Sequence, residues 1–260
     1  NVERPCKNML GCPYFDEVFK APIFNTPGVK ATLVVFDCAG NGQHPHVRNK
    51  YNKDKPMAMV SISSGPDQLY YPDMGMPPPA VNPTVLTRPQ IDDIATCQAE
   101  ETRPYLLTFM GNYRHKTRQK MKDLANDKDV LILVRGGLEK HLNGTYNDML
   151  ALSKFAAAPR GDNKFSYRLT EVLSGGAIPV IYSDGWVLPF REELVDWKEC
   201  ALHIPEKDIN RTVEILSQID DKKRCQMRKR CYEIYQKYMR TAEGTIAGIV
   251  EGLELASGRH

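Results

Sequence analysis

The 260-residue sequence holds no Cys-x-x-Cys pair, no internal repeat, no low-complexity tract and no apolar run long enough to span a bilayer. The first absence argues against a zinc cage, whose thiolates come in such pairs. The second and third set aside repeat arrays and biased tails. The fourth leaves no membrane span within the chain itself. Because the first residue is Asn1 and not Met, a targeting segment or anchor ahead of it stays open. Charge of one sign is also scarce in excess. Against 35 Lys and Arg stand 32 Asp and Glu, a net of +3, so no nucleic-acid partner follows from charge.

What is present is a globular balance, 42% hydrophobic and 26% charged, enough for one large domain or two modest ones. Seven cysteines leave at least one unpaired. Cys6 and Cys12 lie in a Pro/Gly-rich head that a disulfide would help hold. Cys225 and Cys231 sit in a helical stretch, and Cys38, Cys97 and Cys200 are scattered. Asn143-Gly144-Thr145 and Asn210-Arg211-Thr212 are glycosylation sequons. With the cysteines they favour a secretory lumen.

Residues 31–36, "ATLVVF", and 57–61 are β-branched, apolar strand candidates. A polar loop with His44 and His46 separates them. Residues 64–104 are proline-rich and extended, with a short helix near 90–99. From Tyr105 strands at 105–109, 129–134, 154–158, 177–182 and 200–204 alternate with helices at 114–126, 146–152, 163–174 and 190–196. Such alternation means parallel pairing in a doubly wound α/β sheet. Helices follow at 207–219, 221–240 and 241–255. The basic run 222–230 reads as a solvated outer face, with Tyr232, Tyr235 and Tyr238 as packing. Two portions result, 1–100 and 101–260. The first shows only two convincing strands, too few for an independent sheet of the usual size.

Chemistry concentrates after the strand at 154–158, at the carboxyl rim where parallel sheets bind ligands. Phe165, Leu169, Val172 and Leu173 space as an apolar helix face, with Asp162 or Asn163 as cap and Gly175-Gly176 as stop. A helix start suits a phosphate. Gly161 admits the backbone, Arg160 and Arg168 offer guanidinium groups, and Ser166 adds a hydroxyl. Glu171 suits ribose hydroxyls; the bland alternative is an exposed Arg168–Glu171 pair. Gly111, Arg114 and Arg118 offer a second basic wall or a plain solvated face. Asp184, Gly185 and Trp186 line a pocket, or Trp186 is a core anchor. Tyr167 has the same two readings.

In order, Pro159-Arg160-Gly161, Ser166, Arg168, Glu171, Gly176, Ile178-Pro179-Val180, Asp184-Gly185-Trp186, Leu188-Pro189-Phe190 and Asp196-Trp197 resemble the core signature of the exostosin family of glycosyltransferases. "YPDMGMPPP", "RPYLLTFMGNYRHKTRQKM" and "YNDMLALSKFAAAPRG" extend the resemblance over about residues 70–200, with fainter likeness back to "ATLVVF". The "AAA" before Pro159 departs from the family's cysteine-containing triplet. The resemblance implies a GT-B fold, with a nucleotide-sugar-binding second domain and an acceptor-side first portion. It implies an inverting transferase using a UDP-sugar and a glycan acceptor, without a metal or other cofactor. It also implies a Golgi or secretory-pathway location behind a type II anchor, with a homo- or hetero-oligomer left open. Asp37, at the end of "ATLVVF", is the candidate base, ahead of His44 and His46. A catalytically silent nucleotide-sugar- or glycan-binding partner subunit is the alternative.

Overall fold

The computed structural model describes residues 74–78, 80–126, 128–134, 137, 138 and 142–257, the strands Leu33–Asp37 and Met57–Ser61, and Lys20 and Pro22. Two parallel sheets result. The first has three strands in order β1 (Leu33–Asp37), β2 (Met57–Ser61) and β3 (Met74–Gly75). Leu33 lies opposite Met57, Asp37 opposite Ser61, and Val60 opposite Met74. The third strand, two residues long, escaped the sequence reading. Gly75 is required there: a Cβ would lie 2.1 Å from the Leu188 carbonyl oxygen.

Two short helices follow, α1 (Arg88–Thr96) and α2 (Ala99–Thr102). The second sheet has five parallel strands: β4 (Tyr105–Met110), β5 (Val130–Leu133), β6 (Ser153–Pro159), β7 (Ile178–Tyr182) and β8 (Leu202–His203). Their spatial order is β5-β4-β6-β7-β8, a doubly wound sheet that reverses direction between β4 and β6. Helices α3 (Lys116–Lys120), α4 (Tyr146–Ala151), α5 (Arg168–Ser174), α6 (Thr212–Ser217), α7 (Asp221–Ile234) and α8 (Ala242–Ser257) complete the chain. The α/β class with a doubly wound parallel sheet expected from the sequence is observed in the second portion, with a smaller parallel sheet before it.

Strand alternation distributes the core. Leu107, Phe109, Phe155 and Val180 pack one way with Met121, Leu216 and Met227; Leu131, Leu133 and Ala156 pack the other way with Met149, Leu150 and Val172. Val60, Met74 and Met76 join a third cluster with Trp186, Phe190 and Tyr238, so the short sheet packs on the larger body.

Several expectations need correction. The helix expected over 163–174 begins only at Arg168, with Tyr167 as its N-cap, so neither Asp162 nor Asn163 caps it. Phe165 still faces the core, but from a non-helical turn, edge-on to Tyr167 at 4.9 Å. No helix forms over 190–196; turns lead into a 3-10 turn at Trp197–Glu199. Helix α3 spans five residues and continues as a 3-10 turn, Met121–Leu124. The expected helix 221–240 is α-helical to Ile234 and π-helical over Tyr235–Met239.

The basic run on α7 is not simply an outer face. Arg228 is 1% exposed, and its Nε and Nη2 donate to Glu100 Oε1 at 2.9 and 2.7 Å. Arg224 Nε reaches Glu100 Oε2 at 2.8 Å. Arg228 Nη1 also donates to the Gly176 carbonyl at 2.6 Å. Cys225 bonds to Cys97 and Cys231 to Cys200, fastening α7 to α1 and to the turn before β8. Cys6, Cys12 and Cys38 lie outside the described residues.

Removing one member of a buried ion cluster leaves its partners uncompensated, at a cost of about 3–5 kcal/mol. Glu100→Gln is therefore expected to lower the urea midpoint by that equivalent with an unchanged slope. A variant within about 1 kcal/mol of wild type would show that Arg224 and Arg228 do not depend on Glu100.

Candidate functional site

Ligands of a doubly wound sheet lie beyond the carboxyl ends of the strands where the winding reverses. Here that point is between β4, which runs into Gly111-Asn112, and β6, which runs into Arg160-Gly161. Two neighbouring cavities open there and share Asn112. One, of about 240 Å³, is lined among others by Arg114, His115, Arg118, Gly161, Asp162 and Ser166. The other, of about 640 Å³, is lined by Asn82, Gly111, Tyr146, Asn147 and Arg168 among others.

Arg118 crosses from α3 toward β6. Its Nε donates to the Arg160 carbonyl at 3.0 Å and its Nη1 to Asn112 Oδ1 at 3.2 Å. Gly161 lies against Arg118: a Cβ there would stand 3.4 Å from Nη2, an ordinary contact. Burial and then the Arg168 charge pull the Arg118 guanidinium below its usual range, with Asp162 opposing them. Ser166 is 3% exposed, and its Oγ has no hydrogen-bond partner among the described residues. Asn147 Oδ1 is likewise buried and unpartnered. Unmatched buried polar atoms are costly and call for explanation.

Arg168 opens α5 and pairs with Glu171 Oε2, while its guanidinium lies 4.7 Å over the Tyr146 ring. Burial opposes its charge; Tyr146 and Glu171 overcome that and raise it. The pair is not the exposed surface bridge that spacing allowed. Glu171 is 1% exposed, its Oε1 accepts from the Asn82 backbone at 3.1 Å, and its Oε2 accepts from Tyr146 Oη at 3.0 Å. Both oxygens are thus occupied by the chain. Thr170 Oγ1 donates to the Pro78 carbonyl, and Thr84 N donates to Ser174 Oγ at 2.8 Å. One face of α5 therefore fastens the linker while its first residue faces a cavity.

Arg160 reaches the rim but turns to Glu206, 3.7 Å from Nη1 to Oε1, and is not among the residues lining the two rim cavities. Glu206 had no motif to announce it. It accepts from the Thr117 hydroxyl and from Asp184 N, at 3.2 Å in the second case; its own N–H returns to Asp184 Oδ1 at 3.1 Å. Lys120 Nζ donates to its carbonyl at 3.3 Å. Glu206 thus ties together the loops after β4, β6, β7 and β8. Asp184 and Gly185 form an exposed turn, Gly185 at φ +69°. Trp186 is 5% exposed in the core, which favours the anchor reading, and with Trp197 it walls a separate 350 Å³ cavity. Tyr167 is exposed and lines the smaller rim cavity.

Asp37 closes β1, but its side chain, like His44 and His46, lies outside the described residues. Asn143 and Asn210 are exposed. The sequence holds one Asp-x-Asp triplet, Asp127-Lys128-Asp129. Asp129 precedes the amino end of β5 and accepts from Asn126 Nδ2 at 2.8 Å, away from the rim. Among the described residues no group of three His, Cys, Asp or Glu is placed to hold a metal.

Burial alone would raise the Glu206 carboxyl, but the Thr117 hydroxyl, the Asp184 N–H, Arg160 and His115 together hold it below its usual range. A depressed folded value adds stability above the unfolded value, about 4.3, that is lost as pH falls through the folded one. Glu206→Gln is therefore expected to be less stable than wild type at neutral pH, with the gap closing below about pH 4.3 in urea melts across pH. A gap independent of pH would contradict the assignment.

A model of the Exostosin GT47 domain matches residues 33–219. An Exostosin-1 homolog of Caenorhabditis elegans is 28% identical over 168 residues, covering 55% of this chain and 43% of that protein. A probable glycosyltransferase of Arabidopsis thaliana is 27% identical over 194 residues, covering 75% of this chain and 36% of that protein. The chain thus spans less than half the length of either relative. Among solved structures, WaaG, a glycosyltransferase involved in lipopolysaccharide biosynthesis, aligns at a TM-score of 0.44 and 11% identity, over 96% of this chain and 85% of that one. With residues 33–219, most of the chain, matched by that model, the chain belongs to the exostosin GT47 family of glycosyltransferases.

Proposed function

We propose that the chain transfers a sugar from a UDP-sugar to a glycan acceptor with inversion, and that the rim between β4 and β6 holds the donor's diphosphate. The observation that carries this reading is the pair Arg118 and Arg168, each tethered from behind, beside the unpartnered Ser166 hydroxyl. A diphosphate would lower the repulsion between the two cations and satisfy the hydroxyl. Arg114 and the backbone at Gly161 and Asp162 extend the same wall. The larger cavity, with Gly111, Tyr146 and Asn147, has room for the nucleoside. Arg160 acts through Glu206 on the Asp184-Gly185 turn. Glu171 holds Arg168 in place, so a direct ribose contact would need it to release one of its present partners.

In the transfer, the bond from the sugar's C1 to the diphosphate oxygen breaks and its electron pair leaves with UDP. The acceptor hydroxyl attacks from the opposite face and gives its proton to a base. Asp37, at the carboxyl end of β1, is our candidate for that base. The charge leaving with UDP meets guanidinium groups, so no metal is invoked. The two disulfides and two exposed sequons support a secretory lumen, where the Golgi is the expected compartment.

Thermal-shift titration with UDP, followed by UDP release from a panel of UDP-sugars with oligosaccharide acceptors, tests this. Ser166→Ala removes an unmatched buried hydroxyl and is expected to leave stability equal or higher while weakening UDP about tenfold. Arg118→Ala is expected to weaken UDP by a similar factor, and EDTA to leave turnover unchanged. UDP binding without release from any donor would select the silent partner subunit; no UDP binding would remove both readings.

On expression through a secretory pathway, enzymatic removal of N-glycans is expected to lower the mass, and the double variant Asn143→Gln/Asn210→Gln to abolish the change. A wild-type mass unaffected by the treatment would contradict the lumenal assignment.

A further inference from the structure

His115 stands just before α3 and caps it. Thr117 N–H donates to its Nδ1 at 3.3 Å, and Thr117 Oγ1 lies 3.0 Å from the same nitrogen. Thr117 is 1% exposed, and its hydroxyl donates to Glu206 Oε2. Glu206 is fixed in turn by Asp184 and Arg160. The imidazole is therefore gripped along one edge by groups that are themselves held. Its other nitrogen, Nε2, has no hydrogen-bond partner among the described residues, and the ring lines the small cavity with Arg118, Gly161 and Ser166. While Nδ1 accepts from the Thr117 N–H, the ring is neutral and carries its proton on Nε2. In that tautomer Nε2 is a donor, on a residue that lines the cavity.

We propose that His115 is a further diphosphate-binding residue: Nε2–H donates to a phosphate oxygen of the bound nucleotide, and Thr117 and Glu206 are the residues that position it. This rests on reading the rim as a diphosphate site. A histidine serving only as a helix cap would need Nδ1 alone, and a shorter residue would serve better. The full ring places a second donor where Arg118 and Ser166 also line the wall.

Asparagine and glutamine separate the two roles. Asparagine is a strong N-cap but ends near the Nδ1 position; glutamine carries an amide nitrogen out to where Nε2 sits. Calorimetric titration with UDP is expected to show His115→Asn binding about tenfold more weakly than wild type with an unchanged melting temperature. His115→Gln is expected to bind more tightly than His115→Asn although it melts lower. In wild type labelled with ¹⁵N-histidine, the Nε2 resonance of His115 is expected to move on adding UDP and to stay on adding uridine. Either His115→Asn binding UDP as tightly as wild type, or an equal Nε2 response to uridine and UDP, overturns the inference while the rim reading stands. A wild-type protein that does not bind UDP overturns the rim reading and this inference with it.

Discussion

Two positive charges on neighbouring cavities that share Asn112 set the constraint on which the rest of the rim depends. Arg118 and Arg168 repel, and burial penalises both. Each is held by its own acceptors: Arg118 by the Arg160 carbonyl and Asn112, Arg168 by Glu171 and the Tyr146 ring. With those contacts made, the shared field points into the cavities. For Arg168 the cost of burial is already offset by Glu171 and Tyr146; for Arg118 burial and the neighbouring charge prevail.

The same anchors connect the rim to the rest of the fold. Glu171 joins Arg168 to the Asn82 backbone, and its neighbours Thr170 and Ser174 hold Pro78 and Thr84. The segment that leads from the first sheet to the second is thus fastened along the helix that carries a phosphate-binding candidate. At the other end Glu206 gathers four strand ends, so that β4, β6, β7 and β8 deliver their loops in fixed relation. Behind both lies the buried cluster of Glu100 with Arg224 and Arg228. It keeps α2 and α7 against the end of α5 through the Gly176 carbonyl.

Much of this was legible in the sequence. The five strands of the second sheet announced themselves as short apolar runs alternating with helical stretches, and Gly176, at positive φ, followed the helix end where expected. Arg160, Arg168 and Ser166 were named from their place after β6, and Arg114 and Arg118 as a second basic wall after β4. The start of α5 was missed because Phe165 keeps helical spacing with Leu169 while packing from a turn. The inward arginines of α7 were missed because a charge pattern cannot distinguish a solvated face from a buried ion cluster whose partner lies 128 residues away. The cysteine pairs failed to show for the same reason, one spanning 128 residues. Glu206 carries no motif, and His115, though within the quoted stretch 103–121, is not singled out by it; only the convergence of strand ends in space gives them a role.

The most direct measurement is the position of UDP in crystals of the complex. The account predicts its diphosphate between Arg118 and Arg168, within hydrogen-bonding distance of Ser166, with both guanidinium groups still held by their present acceptors. A diphosphate bound elsewhere, or a rim closed by the protein's own side chains with UDP present, would contradict it.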